Sequence, residues 1–237
     1  MFIISVEGNI GSGKSTFLDM LKMKYASNQD IVFLDEPLDS WNKITDMEGK
    51  TMLEKFYSDK EKHGFAFQMM AYISRLAQLK KTIDTFPNAI IVTERSLLTD
   101  RHVFAKMLYD EGCIEHAHYK IYLEWFNTFI KDMDIEKIIY LKTSPTKSYE
   151  RIQKRNRKGE TIPISYIEQC HEYHEMWLNT FKRNQLLVID ANQDMMQNPN
   201  DYLSWLQMFD GFVLNSKGGD IGRCHSDHDL LNRHGYK

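Results

Sequence analysis

The sequence has few cysteines, no dominant sign of charge and no long apolar run. Its 237 residues include three cysteines, Cys113, Cys170 and Cys224, an odd number at distant positions. This pattern argues against a disulfide framework and favours a reducing compartment. No apolar stretch approaches the roughly 20 residues that a membrane-spanning helix needs, so we expect no contact with a membrane.

The charge balance and the amino-terminal residues narrow the class of protein further. The chain carries 30 lysines and arginines against 33 aspartates and glutamates. No global field therefore attracts nucleic acid or an acidic membrane surface, and we expect neither as a partner. A strand-like apolar run, residues 2–6, follows the first methionine directly. Because this leaves no room for a signal or transit peptide, we expect a cytoplasmic protein.

Strand-like and helix-like segments alternate along the chain. Short apolar, β-branched runs predict five strands, at residues 2–7, 31–34, 89–93, 137–141 and 186–190. Helical spacing predicts helices at residues 65–85, 97–109, 115–133, 146–155 and 165–182. This alternation indicates an α/β fold with a five-stranded parallel sheet flanked by helices. No linker divides the chain, so we expect one domain, residues 1–212, and an irregular tail, residues 213–237.

A glycine-rich motif follows the first predicted strand and precedes a helical pattern. Residues 8–15 match the P-loop pattern G-x-x-x-x-G-K-[ST] in full. In such a loop backbone N–H groups point at phosphate oxygens, Lys14 reaches the β- and γ-phosphates, and the Ser15 hydroxyl binds Mg²⁺. This context favours a P-loop over a chance glycine-rich turn. The predicted ATP-binding residues of the loop are Gly8, Asn9, Ile10, Gly11, Ser12, Gly13, Lys14, Ser15 and Thr16.

Charged residues follow the second and third strands, at the edge where ligands of such sheets bind. Glu36, directly before Pro37, suits the deprotonation of a sugar hydroxyl. Glu94 can hold Mg²⁺ through water, and Arg95 can neutralise a transferring phosphoryl group. On chemistry alone, an ordinary surface carboxylate and a local ion pair explain these residues as well as a catalytic site does.

Five short motifs occur in one order at compatible spacings: the P-loop, Glu36-Pro37, Phe65-x-Phe67-Gln68, Glu94-Arg95-Ser96 and Arg155-x-Arg157. Together they resemble the deoxynucleoside kinase family, over roughly residues 1–210. The resemblance implies a P-loop kinase fold with a short arginine-rich lid. It implies Mg²⁺-dependent transfer of the ATP γ-phosphate to the 5′-hydroxyl of a deoxynucleoside. It also implies a homodimer, for which the helices at residues 97–109 and 115–133 have suitable apolar faces.

The resemblance further implies roles for individual residues. Glu36 would be the general base, Arg95 would orient the acceptor oxygen, and Glu94 would bind Mg²⁺ together with Ser15. In the predicted lid, Arg155 and Arg157 would clamp the phosphates of ATP and Arg151 would stack on adenine. A basic helix end or a small nucleic-acid patch is the alternative for this last segment.

A set of polar and aromatic residues would form the nucleoside pocket. Gln68 would hydrogen-bond the base edge, because an amide offers a donor and an acceptor side by side. By the same resemblance Tyr57 would bind the 3′-hydroxyl, and Glu160 is a second candidate for that contact. The remaining predicted pocket residues are Ile10, Trp41, Phe67 and Phe104. For any one of these aromatic residues taken alone, packing in the core is an equally good explanation.

Three pocket positions bear on the choice of base: Ala71, Arg75 and Asp100. Their identities resemble those of the deoxycytidine and purine deoxynucleoside kinases. A pair of Arg75 and Asp100 would put a charged wall where the methyl group of thymine needs apolar space. We therefore expect deoxycytidine, deoxyadenosine or deoxyguanosine to be preferred over thymidine.

Two other functions are compatible with a P-loop on this fold. A nucleoside monophosphate kinase such as thymidylate kinase must bind an acceptor phosphate, which the carboxylate of Glu36 would repel. A non-catalytic nucleotide-binding protein of the same fold is the second alternative. The presence of Lys14, Glu36, Arg95 and both lid arginines weighs against it.

Overall fold

The computed structural model describes residues 2–131, 133–157, 160–193 and 199–214. Within these ranges the strands are β1 (Phe2–Glu7), β2 (Ile31–Leu34), β3 (Ile90–Glu94), β4 (Lys137–Lys142) and β5 (Leu186–Asp190). The helices are α1 (Lys14–Lys24), α2 (Leu38–Trp41), α3 (Met52–Ser58), α4 (Lys60–Thr85), α5 (Leu97–Thr99), α6 (Lys106–Asp110), α7 (His116–Phe129), α8 (Pro145–Arg155), α9 (Ile164–Leu178) and α10 (Pro199–Leu214), and a π-helical segment, Asp100–Ala105, joins α5 to α6. Residues 215–237 of the predicted tail lie outside the described residues.

The five strands form one parallel sheet in the order β2-β3-β1-β4-β5. Val6 of β1 lies beside Glu94 of β3, and Leu34 of β2 lies beside Thr93. The residues that follow β1, β2 and β3 therefore meet at one edge of the sheet. The predicted five-stranded α/β fold is confirmed, with strand bounds that agree to within one residue.

Each face of the sheet is buried under its own apolar cluster, because successive side chains of a strand point to opposite faces. Ile4 packs into a cluster with residues of α1 and α10, whereas its neighbour Ile3 packs into a cluster with residues of α4, α7 and α9. Coverage on both faces explains why the strands read as nearly continuous apolar runs.

Side-chain caps set the starts of the helices that carry the cleft. In α3, Thr51 and Glu54 form a reciprocal capping box, with Glu54 N–H donating to Thr51 Oγ1 at 3.2 Å. The Asp59 carboxylate then accepts from Lys62 N–H at 3.0 Å. Because this cap starts α4 at Lys60, the helix begins five residues before the predicted position 65.

The predicted helix at residues 97–109 is present but contains the π-helical turn, a wider turn that often occurs at functional sites. Its apolar side is buried inside the protein, with Val103, Ala105, Met107 and Leu108 inaccessible to solvent. The helices predicted at 115–133 and 165–182 end earlier, at Phe129 and Leu178, and α2, α3 and α10 were not predicted. Among the described helices, none has the length and apolar character needed to cross a bilayer.

One carboxylate adds hydrogen bonds to the apolar packing of α10 against α1 and the residue after it. Asp210 of α10 accepts hydrogen bonds from Tyr25 Oη and, at 2.7 Å, from the buried Lys24 Nζ. Asp210→Ala removes this acceptor, and we expect a loss of roughly 2–4 kcal/mol in the free energy of unfolding. The measurement is urea denaturation. Glu150→Ala, which breaks an exposed pair with Lys147, is the control and should cost less than about 0.5 kcal/mol; equal losses would contradict the prediction.

Candidate active site

The loop between β1 and α1 has the geometry of a phosphate cradle. Gly11 adopts φ of +77°, and a Cβ atom built there would lie 2.5 Å from the carbonyl oxygen of Ser148. Only glycine fits this position, because the left-handed backbone and the close approach both exclude a side chain. Gly13 forms the amino end of α1, so the positive end of that helix faces the loop.

Hydrogen bonds of Asn9 and Lys14 hold the P-loop in place. The Asn9 amide donates to the carbonyl of Ile167 in α9 at 2.8 Å and accepts from Ile10 N–H at 2.8 Å. Lys14 Nζ donates to the Asn9 carbonyl oxygen at 2.7 Å. Burial, and to a smaller extent Arg95, lowers the pKa of Lys14 from 10.5 to about 7. Burial therefore disfavours the ammonium form of Lys14, and a bound phosphate would favour it.

A hydroxyl and a carboxylate meet where α1 starts and β3 ends. Ser15 Oγ donates to Glu94 Oε1 at 2.9 Å. Oxygen ligands of this kind suit Mg²⁺, which commonly takes one or two from the protein and the rest from phosphates and water. Among the described residues there is no cluster of three or more His, Cys, Asp or Glu side chains around a possible metal position. A cation held by Ser15 and Glu94 would take its other ligands from phosphate and water.

Glu36 lies between two buried arginines. Its Oε1 atom is 3.3 Å from Arg75 Nη2 and 3.5 Å from Arg95 Nε. Burial alone would raise the pKa of Glu36, but Arg95, Arg75 and Lys14 outweigh it and hold the pKa below its usual value. The carboxylate thus stays ionised at neutral pH, although its side chain is only 21% exposed.

Arg75 joins Glu36 to Asp100 and to the end of β3. Its Nε atom donates to Asp100 Oδ2 at 3.0 Å and Nη1 donates to the Glu94 carbonyl at 2.7 Å. Burial raises the pKa of Asp100 to about 6, although Arg75 opposes this shift. The pair of Arg75 and Asp100 expected from the sequence is therefore present, and it is buried.

Aromatic rings and one amide form the deeper part of the cleft. Phe67 stacks on Phe56 with ring centres 4.5 Å apart and meets the edge of Trp41 at 5.7 Å. Gln68 is buried, and its amide oxygen has no hydrogen-bond partner within the described part of the chain. Tyr57 is partly buried beside these rings, and burial, with Glu160 next, raises the pKa of its phenol. A buried amide oxygen that lacks a partner is suited to bind a polar ligand.

The arginines of the predicted lid are on α8 and in the residues after it. Arg155 Nη2 lies 2.5 Å from Glu160 Oε2, and Arg157 Nη1 lies 4.0 Å from Glu160 Oε1. Arg151 donates to the carbonyl groups of Gln193, at 2.7 Å, and Ser12, at 3.4 Å. Arg151 thus contacts the P-loop directly, whereas Arg155 and Arg157 are held by Glu160.

These groups line one cleft of about 730 Å³. Every site residue predicted from the sequence lines this cleft except three residues of the P-loop, Gly8, Asn9 and Ser12. Thr16, Ala71 and Phe104 are among the lining residues. The sequence analysis did not assign seven lining residues to the site: Leu53, Phe56, Tyr166, Asp19, Asp35, Leu38 and Lys154. The capping pattern at Thr51 would have indicated α3 and hence the first two; nothing in the sequence singles out Tyr166.

A P-loop after the first strand and an adjacent polar pocket lie together at the carboxyl edge of the parallel sheet, as in a P-loop kinase fold. A family model described as deoxynucleoside kinase matches residues 4–213. The chain belongs to the deoxynucleoside kinase family, as the sequence motifs indicated. The family match favours the deoxynucleoside kinase function over the two alternatives, a monophosphate kinase and a non-catalytic nucleotide-binding protein.

Curated relatives agree with this assignment. The chain is 31% identical to deoxycytidine kinase 1 of Xenopus laevis over 240 residues, which cover 89% of each protein. It is 34% identical to deoxycytidine kinase 2 of Gallus gallus over 221 residues, or 81% of this chain and 82% of that one. It is 30% identical to the mitochondrial deoxyguanosine kinase of Xenopus laevis over 223 residues, or 82% and 83%. The predicted function as a deoxynucleoside kinase is therefore confirmed.

The lowered pKa of Lys14 leads to a prediction about phosphate binding. At pH 8 Lys14 is mostly neutral in the free protein, and a bound polyphosphate favours its charged form. Binding of inorganic tripolyphosphate at pH 8 should therefore take up about one proton more than in Lys14→Arg, whose guanidinium is always charged. Titration calorimetry in buffers of different ionisation enthalpy measures this difference. Equal uptake in both proteins would show that Lys14 is already charged.

Proposed function

We propose that the protein transfers the γ-phosphate of ATP to the 5′-hydroxyl of a deoxynucleoside, with Mg²⁺, in nucleotide salvage. The observation that carries this proposal is the position of Glu36. An ionised carboxylate lies beside two buried arginines in the same cleft as the P-loop. A base next to a phosphate cradle is the arrangement that phosphoryl transfer to an alcohol requires.

In the proposed reaction Glu36 accepts the proton of the 5′-hydroxyl as its oxygen attacks the γ-phosphorus. The new O–P bond forms while the bond between that phosphorus and the bridging oxygen of ADP breaks, and ADP leaves with its electrons. Arg95 orients the attacking oxygen and neutralises charge on the transferring group. Its support is the ion pair of Arg95 with Glu36, which holds both groups at one point of the cleft.

On the donor side, the backbone N–H groups of the P-loop and Lys14 bind the β- and γ-phosphates. Arg155 and Arg157 act as a lid that clamps the phosphates, and Arg151 stacks on adenine. All three line the cleft, which supports this proposal. Ser15 and Glu94 would hold Mg²⁺, and the 2.9 Å between their oxygens supports this assignment. When bound, Mg²⁺ would neutralise charge on the phosphate oxygens.

The nucleoside occupies the deeper part of the cleft. The amide oxygen of Gln68, buried and without a partner in the described chain, accepts a hydrogen bond from the base edge and its NH₂ group donates one. Phe67 and Phe104 contact the faces of the base, and Tyr57 and Glu160 bind the 3′-hydroxyl. The other proposed contacts are Ile10, Trp41 and Ala71, all of which line the cleft.

The preferred bases are cytosine, adenine and guanine rather than thymine. The support is the buried pair of Arg75 and Asp100, a charged wall that disfavours a methyl group. The names of the relatives, deoxycytidine kinases and a deoxyguanosine kinase, point in the same direction.

A second copy of the chain is proposed to pack on α4 and α7. The helix at residues 97–109, which the sequence analysis considered for this role, has its apolar side buried within the protein. In contrast, Ile121, Trp125 and Phe129 of α7 and Ile73 of α4 are between 44% and 50% exposed. An apolar face of this kind suits an interface in a homodimer.

Replacement of the proposed base tests the chemistry. Glu36→Gln should lower kcat by at least 100-fold, on the order expected for loss of a general base, while ATP still binds. Asp39→Asn, an exposed neighbour outside the cleft, is the control and should keep kcat within about twofold. Because the pKa of Glu36 is lowered, wild-type kcat should not fall as the pH drops from about 7 to about 5. Undiminished turnover in Glu36→Gln would disprove the mechanism.

Removal of the charged wall tests the choice of base. Arg75→Met combined with Asp100→Ala should raise kcat/KM for thymidine relative to deoxycytidine by about tenfold or more, because the thymine methyl gains apolar space. The ratio is the measurement, since Arg75 also contacts Glu36 and its loss lowers kcat for every substrate. Arg101→Met, next to Asp100 but outside the cleft, should leave the ratio unchanged. An unchanged ratio in the double variant would reject the assignment of this wall.

A further inference from the structure

Arg95 has a backbone conformation that its residue type disfavours. Its φ is +63°, in the left-handed region. Among non-glycine residues such a conformation is uncommon, and it persists where the surrounding structure fixes it. The contacts of its two neighbours are therefore informative: Glu94 accepts from Ser15, and Ser96 contacts Glu7.

Three consecutive residues at the end of β1 receive hydrogen bonds from Arg95 and Ser96. Arg95 N–H donates to the Val6 carbonyl at 3.0 Å and Arg95 Nη1 donates to the Gly8 carbonyl at 2.9 Å. Between these two contacts, Ser96 Oγ donates to Glu7 Oε1 at 2.6 Å. The turn after β3 is thus tied to the start of the P-loop on both sides of Glu7.

Glu7 is an unusual residue for its position. It is completely buried in the central strand of the sheet. Its Oε1 atom accepts from both Ser5 and Ser96, while Oε2 has no hydrogen-bond partner in the described residues. A buried carboxyl group whose hydrogen bonds are incomplete is destabilising compared with an apolar side chain. Packing therefore does not explain a glutamate here.

We propose that Glu7 is a positioning residue for phosphoryl transfer, which holds Arg95 in its left-handed conformation through the hydroxyl of Ser96. The inference rests on the proposed function, in which Arg95 acts on the acceptor oxygen. Ser96 Oγ also accepts from Thr99 N–H at 3.2 Å, so its rotamer is fixed from two directions. If the turn relaxes, the guanidinium of Arg95 leaves its place over Phe104 and beside Glu36.

Two serine variants form a matched pair, because each removes one hydroxyl that donates to the same Glu7 oxygen. Ser96→Ala cuts the link to the turn, whereas Ser5→Ala leaves it in place. We expect kcat with deoxycytidine to fall about tenfold or more in Ser96→Ala, with KM for ATP within about twofold, and to stay within about twofold in Ser5→Ala. Equal effects in the two variants would overturn the proposal.

Variants of Glu7 separate the link between Glu7 and Ser96 from the second role of Ser96, which caps the start of α5 by accepting from Thr99 N–H. Glu7→Met keeps the side-chain volume, leaves the hydrogen bond from Thr99 N–H to Ser96 Oγ in place and should reproduce the loss in kcat. Glu7→Gln should restore much of the kcat, because its amide oxygen still accepts from Ser96. Circular dichroism and urea midpoints check that each variant folds. Should Glu7→Met not fold, the serine pair and Glu7→Gln decide the question.

A double-mutant cycle with Arg95 distinguishes failure of this inference from failure of the proposed function. Arg95→Gln should lower kcat, and Glu7→Met added to it should cause no further loss, because Glu7 acts through Arg95. If Arg95→Gln keeps full kcat, the role proposed for Arg95 fails. If Arg95→Gln loses activity and the losses from Glu7→Met add to it in full, only the inference about Glu7 fails.

Discussion

Mutual neutralisation of buried charges is the interaction on which the site depends. Lys14, Arg75 and Arg95 are each about 95% buried, as is Glu94. Isolated charges at such depth are strongly unfavourable, so each must have an opposite charge or a dipole nearby. Glu36 provides that charge for both arginines, and the pKa shifts of the group follow from this arrangement. The positive charge of Arg95, which helps to keep Glu36 ionised, adds to burial in lowering the pKa of Lys14, and a bound phosphate would favour the charged form of that lysine.

The guanidinium of Arg75 connects two parts of the cleft that have different tasks. One nitrogen contacts Asp100 in the pocket wall, and another contacts Glu36 at the site of chemistry. Helix α4, which carries Arg75, also carries Phe67 and Gln68. One long helix over the sheet edge therefore sets both the shape of the pocket and the electrostatic environment of the carboxylate. Specificity and catalysis are not separable in such an arrangement.

Local patterns predicted the parts of this protein that are determined locally. Apolar runs gave the five strands, and the glycine spacing gave the P-loop, because both depend on neighbouring residues. The contact of Glu36 with Arg75, 39 positions apart, and the stacking of Phe56 on Phe67 depend on tertiary packing. The left-handed backbone of Arg95 and the hydrogen bond from Ser96 to Glu7 likewise produce no periodic pattern in the sequence from which they could be predicted. The short helices α2 and α3 are below the length at which helical spacing is recognisable.

The π-helical segment constrains how this chain can vary in length. It spans Asp100–Ala105, and it carries both Asp100 and Phe104 into the cleft while Met107 and Leu108 beyond it are buried in the core. Loss of one residue here would rotate the following residues of the helix by about 100° around its axis. Either the cleft side or the core side would then face the wrong way. Insertions and deletions are thus tolerated in neighbouring loops far more readily than in this one turn.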